Sequence, residues 1–199
     1  MIAKVPFVSI IIPLREGDSV EPWTLKSIQR QTWTRYETII TQGPGNACVN
    51  RNKGYDASIG DYLLFLDADI ELDREYLETM LTALAEAPKA AYAYCRYERK
   101  GELTGYEGGG PWDPFKLMKA NYISTMSLIR RRTYMGWNES LDRLQDWEMW
   151  LRMFKRGGYW GTFVDEVLFT AYYKPGDIST DQSNWNASVK RVNEELDKW

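Results

Sequence analysis

The stretch that most constrains the fold runs from Asp61 to Asp69, with the sequence DYLLFLDAD. Its apolar and aromatic centre, residues 62–66, is too short for a helix and predicts a strand buried on both faces, like a central parallel strand. The strand ends in the carboxylates of Asp67 and Asp69, whose burial is costly unless a cation meets them. Because ligands of open α/β sheets bind at the carboxyl ends of the strands, the pair indicates a divalent-cation site with oxygen ligands. The alternative is that Asp69 or Asp73 caps the helix that follows.

Length and composition indicate one domain that spans residues 1–199. With 199 residues, 44% of them hydrophobic and 27% charged, the chain can bury a substantial core. The net charge of −3 gives no indication of a nucleic-acid partner. We find no signal-peptide pattern and no run of the roughly 20 apolar residues that a membrane span needs, so we expect a cytoplasmic protein without a membrane span. The absence of histidine excludes Ser-His, Cys-His and His–metal mechanisms.

Hydrophobic patterns predict alternating strands and helices over the first ninety residues: strands at 7–12, 36–41 and 62–66, and helices at 22–33, 47–59 and 73–87. This alternation indicates an α/β fold with a mostly parallel central sheet flanked by helices. Later segments predict strands at 90–99, 124–129 and within 160–173, a mobile glycine-rich loop at 100–113, a helix at 145–156 and an amphipathic tail helix at about 183–199. The apolar side of the tail helix could serve a homodimer as readily as it covers the sheet.

Four separated segments resemble family-2 glycosyltransferases, in the order that the family has them. They are FVSIIIPLREG, LKSIQRQTWTRYETII, RNKGYDASIGDYLLFLDADIEL and LIRRRTYMGWNESLDRLQDWEMWLRMFKRGG. The resemblance covers about residues 8–173. It implies a single-domain GT-A (nucleotide-diphospho-sugar transferase) fold with a donor-binding half at about 1–99 and an acceptor-side half at about 100–180.

For the donor, the resemblance implies a nucleotide-diphosphate sugar bound with Mg²⁺ or Mn²⁺ at the Asp67-Ala68-Asp69 turn. Asp69 is expected to be a direct metal ligand, whereas Asp67 is expected to bind the metal through water or to contact the ribose. Arg51 is similar in position to an arginine that meets the donor or its phosphate, although an exposed helix face is the alternative. The loop after the first strand is expected to lie under the nucleotide base: Pro13, Leu14, Arg15 and Glu16.

For the acceptor, a carbohydrate or another hydroxyl compound, the resemblance places the catalytic base at Asp146. A carboxylate near the anomeric carbon can take the proton of the attacking hydroxyl, and direct displacement inverts the configuration. Trp147 is expected to form a wall of the acceptor pocket. The alternative role of Asp146 is a helix N-cap, and Glu148 and Asp142 are the substitutes if Asp146 is not the base.

The chain departs from the family pattern at two places. After the second strand, Thr41-Gln42-Gly43-Pro44 replaces an Asp-Asp-Gly-Ser type of turn, in which an aspartate reads the base. Gln42 has both a donor and an acceptor and could still read a base edge. Within the expected UDP, GDP or dTDP class, the replacement argues against a uridine donor and leaves guanosine and thymidine donors open. No histidine supplies the late metal or phosphate ligand, and Lys174 or Asp177 is the candidate replacement.

The segment from Gly105 to Pro111, with Trp112 on the acceptor side, is expected either to close over the donor or to form a plain hairpin tip. The leading hypothesis is an inverting, metal-dependent glycosyltransferase. One alternative is an inactive GT-A-like carbohydrate-binding or assembly module. A sugar-1-phosphate nucleotidyltransferase fits less well, because the loop after the first strand has one glycine rather than a glycine-rich phosphate loop.

Overall fold

Three parallel strands form one half of the central sheet in a computed structural model that describes residues 7–175 and 184–198. They alternate with two helices in the order β1 (Val8–Leu14), α1 (Pro22–Gln29), β2 (Tyr36–Gln42), α2 (Ala47–Ala57) and β3 (Tyr62–Phe65). β1 lies between β2 and β3 and pairs in parallel with both, which confirms the predicted alternation of strands and helices.

The second half of the sheet is mixed. Its elements are β4 (Ile70–Leu72), α3 (Tyr76–Glu86), β5 (Tyr92–Gly101), β6 (Gly105–Glu107), α4 (Pro114–Lys119), β7 (Leu128–Arg130), α5 (Gln145–Gly157), β8 (Gly161–Tyr173) and α6 (Trp185–Asp197). The strand order is β2-β1-β3-β7-β5-β8-β4, with β6 paired to β5. β5 and β8 are parallel, while β7, β4 and β6 are antiparallel to their partners. The sheet is therefore mixed but mostly parallel as predicted, since β1, β2, β3, β5 and β8 run in one direction. Strands β4 and β6 and helix α4 were not predicted, because each is too short to show a periodic pattern.

β1 continues through Pro13, where the sequence predicts that it stops. The carbonyl oxygen of Ile11 accepts the N–H of Leu66, so alternation along the strand directs the Pro13 nitrogen to the same side. β3 pairs with β1 only as far as Ile11. No neighbouring strand therefore lies beside Pro13 on that side, and its lack of a backbone N–H costs no hydrogen bond of the sheet. Pro13 keeps its register with Thr41 of β2.

The core lies on both faces of the sheet. Ile10 and Ile12 of β1 pack into one cluster together with the apolar face of α3. Ile11, between them, packs into a second cluster with Trp150 of α5. Because all three isoleucines are fully buried, β1 is a central strand covered on both faces. Within the described residues, no helix has the length and apolar character to span a membrane.

A buried ion pair anchors α5 in the second cluster. Glu148 is fully buried, and its Oε1 accepts a hydrogen bond from Nε of Arg152 at 2.7 Å. Arg152 also donates to the carbonyl oxygens of Met135 and Gly136, at 2.7 and 2.6 Å. Glu148 is thus a structural residue, and its side chain lies away from the cleft described below.

The ion pair gives a prediction about stability. Glu148→Ala should lower the free energy of unfolding by about 3–5 kcal/mol, because Arg152 would keep a buried charge without its carboxylate. Glu194→Ala is the matched control, since it breaks an i,i+4 pair with Lys190 that is exposed, and it should cost less than about 0.5 kcal/mol. Urea unfolding followed by circular dichroism measures both, and equal small losses would contradict the assignment.

Candidate active site

A cleft of about 1150 Å³ opens at the carboxyl ends of β1 and β3. The turn between β3 and β4 lies on one side, and the residues that precede and begin α5 lie on the other. Nine of the predicted site residues line it: Pro13, Leu14, Arg15, Arg51, Asp67, Ala68, Asp69, Asp146 and Lys174. Four do not: Glu16, Gln42, Trp112 and Trp147.

Arg51 joins the two sides of the cleft. Its side chain is buried, and Nη2 donates to Oδ1 of Asp67 at 2.8 Å while Nη1 donates to Oε1 of Gln145 at 2.8 Å. The guanidinium also lies 4.5 Å from the centroid of the Trp137 ring. The exposed-face alternative is therefore wrong, and with these partners Arg51 orients site residues, while contact with the donor stays a prediction.

The turn that carries Ala68 and Asp69 is fixed by its backbone. The carbonyl oxygen of Ala68 accepts hydrogen bonds from Oγ1 of Thr24 and from the N–H of Glu21, both at 2.9 Å. Trp23 Nε1 donates to the carbonyl oxygen of Asp69 at 3.5 Å. Strand β4 follows at once and α3 begins only at residue 76, so neither Asp67 nor Asp69 caps a helix.

Asp146 lies in the first turn of α5 and faces the cleft. Its Oδ1 accepts the N–H of Trp147 at 2.9 Å, and its Oδ2 accepts Nδ2 of Asn121 at 2.8 Å. Burial raises the pKa of the Asp146 carboxyl, although these hydrogen bonds and the charge of Arg51 act to lower it. The N-cap is Leu144, so the capping alternative for Asp146 does not hold.

Leu144 has a left-handed backbone at the start of α5, with φ 56° and ψ 28°. It is the one non-glycine residue with positive φ in the described part of the chain. Such a conformation costs on the order of 1–3 kcal/mol and tends to occur at functional sites. Here it turns the chain so that Gln145 reaches Arg51 and Asp146 faces the cleft.

The two substitutes for the base have different surroundings. Asp142 is exposed, lines the cleft and accepts Nδ2 of Asn46 at 3.2 Å through Oδ1. Glu148 is buried with Arg152, so it cannot reach a substrate in the cleft. Asp146 and Asp142 are the carboxylates of this segment that remain candidates.

Neither tryptophan predicted on the acceptor side lines the cleft, since Trp147 lies in the core and Trp112 is half-buried and packs against it. Trp147 is 4% exposed, and its Nε1 donates to the carbonyl oxygen of Leu117 at 2.7 Å. Trp112 donates through Nε1 to the hydroxyl of Tyr92 at 3.2 Å, and its ring packs edge-on against Phe154. The expectation of an acceptor pocket walled by tryptophan is corrected, because these large rings satisfy their N–H groups inside the protein. Tyrosines line the cleft instead: Tyr97, Tyr122, Tyr172 and Tyr173.

Gln42 organises the loop after β1. Its Nε2 donates to the carbonyl oxygens of Arg15 and Asp18, both at 2.9 Å. Asn50 supports the start of this loop from α2 by donating to the carbonyl oxygen of Leu14 at 2.9 Å. The amide nitrogen of Gln42 is used in this way, and neither Gln42 nor Glu16 lines the cleft, so contact of Gln42 with a base stays a prediction.

Lys174 and the glycine-rich segment flank the cleft. Lys174 forms an ion pair with Glu21 and lies 6.0 Å from the centroid of the Trp23 ring. Asp177 lies outside the described residues. β6 and β5 form a hairpin where the sequence predicts a mobile loop, and the carbonyl oxygen of Gly110 then accepts the hydroxyl of Tyr94 at 2.9 Å. Closure of this segment over a donor stays a prediction.

The sequence interpretation did not single out several residues that build the site. Asn121 contacts Asp146, and Gln145 contacts Arg51. Asn46 and Asn52 of the α2 region donate to residues 137–142 in the segment before α5, including the carbonyl oxygens of Leu141 and Trp137. An asparagine-rich helix in the sequence could have indicated such polar packing, but the partners lie more than 80 positions away.

The cleft fits a divalent cation that is completed by a ligand. In the described ranges, no group of three or more His, Cys, Asp or Glu side chains is placed to hold a metal. Magnesium, however, is often held by one or two protein carboxylates together with substrate phosphates and water. Asp67 and Asp69 provide such a pair. The lining includes seven carboxylates and four basic side chains, so the cleft has an excess of negative charge.

Comparison with known proteins identifies the family. The model of glycosyl transferase family 2 matches residues 41–160, which is more than half of the chain. The chain belongs to this family. A glycosyltransferase of Haemophilus influenzae is 24% identical over 222 residues, covering 94% of this chain and 76% of the relative. A PGL/p-HBAD biosynthesis glycosyltransferase of Mycobacterium bovis is 24% identical over 206 residues, covering 87% and 79%.

Solved structures of S. aureus TarS 1-349 show the same GT-A fold. The complex with UDP-GlcNAc aligns with a TM-score of 0.70 and 15% identity over 96% of this chain. The complex with UDP aligns with a TM-score of 0.65 and 16% identity over 85% of this chain. This family-2 chain spans only 66% and 61% of the TarS chain in these two alignments.

The raised pKa of Asp146 gives a prediction about stability and pH. The folded protein holds the proton of Asp146 more tightly than the unfolded chain, so the wild type loses stability as the pH rises from about 3.8 through the raised value. Asp146→Asn has no carboxyl at this position, so its stability does not fall with pH for this reason. Between pH 3.8 and the raised pKa of Asp146, the stability of the variant relative to the wild type should therefore increase by up to about 1.4 kcal/mol per pH unit. Urea unfolding at several pH values between about 3.5 and about 8 measures the difference in free energy of unfolding between the variant and the wild type. Asp56→Asn, on the exposed face of α2, is the control, and a pH-independent difference for Asp146→Asn would contradict the prediction.

Proposed function

We propose that this protein transfers a sugar from a nucleoside-diphosphate sugar to a hydroxyl group, with inversion and with a divalent cation. The observation that carries the proposal is the Asp67–Arg51–Gln145 connection. It holds the carboxylates at the end of β3 and the carboxylate of Asp146 on opposite sides of one cleft. Membership of glycosyl transferase family 2 favours this function over nucleotidyl transfer and over an inactive carbohydrate-binding or assembly module.

Residues of the donor-binding half, 1–99, would hold the donor. Asp69 would be the direct ligand of Mg²⁺ or Mn²⁺, with Asp67 as a second or water-mediated contact. When bound, the ion acts as a Lewis acid for the negative charge on the departing diphosphate. Arg15 and Lys174 lie in the same cleft, where their positive charges favour phosphate. Because TarS has been solved with UDP and UDP-GlcNAc, UDP is the first donor class to test, before GDP and dTDP.

Residues of the acceptor-side half, 100–180, would carry out the proton transfer. The acceptor hydroxyl attacks the anomeric carbon while Asp146 takes its proton. The bond between the anomeric carbon and the phosphate oxygen breaks, and the nucleoside diphosphate leaves with the electron pair. Attack opposite the leaving group inverts the configuration. Burial that raises the pKa of Asp146 moves it towards the working pH, which suits a general base.

The donor site is tested by thermal shift with UDP, GDP, dTDP and CDP, each with and without Mn²⁺. One nucleotide should raise the melting temperature only when the metal is present, because Asp67 and Asp69 would hold the ion that offsets the negative charge of the diphosphate. Asp69→Ala should remove this shift, whereas Asp56→Ala, on the exposed face of α2, should keep it. Equal shifts in Asp69→Ala and the wild type would exclude Asp69 as a ligand.

The base is tested by the Asp146→Asn variant in transfer reactions with the donor class found above. The variant should keep donor binding and lose about 10²–10⁴-fold in the rate of transfer, since it cannot accept the proton. Asp142→Asn, in the same cleft, distinguishes between the two carboxylates. A larger rate loss in Asp142→Asn than in Asp146→Asn would move the role of base to Asp142.

A further inference from the structure

We propose that Asn121 is a positioning residue that presents the Asp146 carboxylate to the cleft as a proton acceptor. The proposal rests on the proposed function, because it concerns the base of that reaction. Asn121 lines the cleft together with Tyr122 and Ile123, and it comes from the segment between α4 and β7 rather than from α5. The contact therefore connects one wall of the cleft to the start of α5.

The orientation of the Asn121 amide follows from its two partners. Its Oδ1 accepts the N–H of Ile123 at 3.2 Å, in a local turn. Its Nδ2 is thereby directed at Oδ2 of Asp146, at 2.8 Å. A backbone N–H can only donate, so the amide cannot rotate to offer its oxygen to Asp146 without losing this bond.

The N–H of Trp147 donates to Oδ1 of Asp146, Asn121 donates to Oδ2, and the N–H of Asp146 itself acts on the same carboxylate. Because each carboxylate oxygen can accept two hydrogen bonds, these three donors leave capacity for a substrate proton. All three stabilise the ionised form, which is the form that a general base needs. Trp147 belongs to the helix itself, so Asn121 is the donor that tertiary structure adds.

The other groups around Asp146 do not replace this role. From α2, Arg51 provides positive charge but is held by Asp67 and Gln145, and the Cys48 thiol is neutral because burial raises its pKa to about 12. From β5, burial raises the pKa of Tyr97, so its hydroxyl is also neutral.

The remaining charged groups near Asp146 lie on α5 and on the segment before it. Glu148 is neutralised by Arg152, and Asp142 and Arg143 line the same cleft. Asn121 is accordingly the neutral side chain whose hydrogen bond acts directly on the base.

Asn121→Asp is the sharpest test, because it keeps the shape of the side chain and the bond to the N–H of Ile123. Its second oxygen would then face Oδ2 of Asp146, and two carboxylates this close share a proton. The acidic limb of the kcat/KM profile should move to higher pH by about one unit or more, with the KM for the donor unchanged. Asn121→Ala, which removes the donor without adding charge, should move the limb in the same direction by less.

Asn138→Asp is a matched control in the same chain. Asn138 also accepts an N–H two residues later, that of Ser140, and donates to a helical carboxylate, Glu195 at 3.2 Å. This substitution creates the same kind of pair away from the cleft, so the acidic limb should stay in place. A uniform loss of rate in Asn121→Asp, with the limb unmoved, would show a merely structural role and overturn the proposal.

The titration of the Asp146 carboxyl, followed by carbon-detected NMR without substrate, separates this inference from the proposed function. The resonance of the Asp146 carboxyl is assigned by its absence in Asp146→Asn. The pKa of the Asp146 carboxyl should rise in Asn121→Asp and Asn121→Ala and stay the same in Asn138→Asp. If no donor supports transfer, the proposed function fails while the titration still tests the contact. An unchanged pKa in both Asn121 variants would overturn the inference even in an active enzyme.

Discussion

The buried guanidinium of Arg51 is the interaction on which the geometry of the cleft depends. It comes from α2, lies against Trp137, and bonds to Asp67 at the end of β3 and to Gln145 at the start of α5. A planar group with several donors can hold two partners at fixed angles, which an ammonium group cannot do. Because a buried donor without a partner destabilises the folded protein, both bonds are maintained. The Arg51 side chain therefore sets the distance between the donor side and the base side of the cleft.

Other polar side chains of the α2 region extend this support. Asn50 holds the end of β1, and Asn46 and Asn52 hold the segment that leads to α5. The helix packs on β1 at Gly54, where a Cβ would lie 2.3 Å from Cγ2 of Ile11. Helix α2 therefore packs closely on the sheet through Gly54, while its asparagine side chains hold the loops that form the cleft.

Much of the fold was predictable because its signals are local. The alternation of apolar runs and amphipathic segments gave β1 to β3 and the helices between them, and the Asp67-Ala68-Asp69 turn follows directly from the end of a buried strand. The side chains around the base were harder to predict. Trp147 is adjacent to Asp146 in sequence, yet its ring points into the core while the carboxylate faces the cleft, since neighbours on a helix point in different directions.

The sequence by itself determined the parallel half of the sheet, the position of the carboxylate pair and the family, because hydrophobic period and short motifs are properties of adjacent residues. Tertiary structure alone decided which side chains meet Asp67 and Asp146. Arg51 and Gln145 are 94 positions apart, and Asn121 and Asp146 are 25 apart on different elements. Such contacts depend on the crossing of helices over the sheet and on the left-handed turn at Leu144, and these arise from packing of the whole chain.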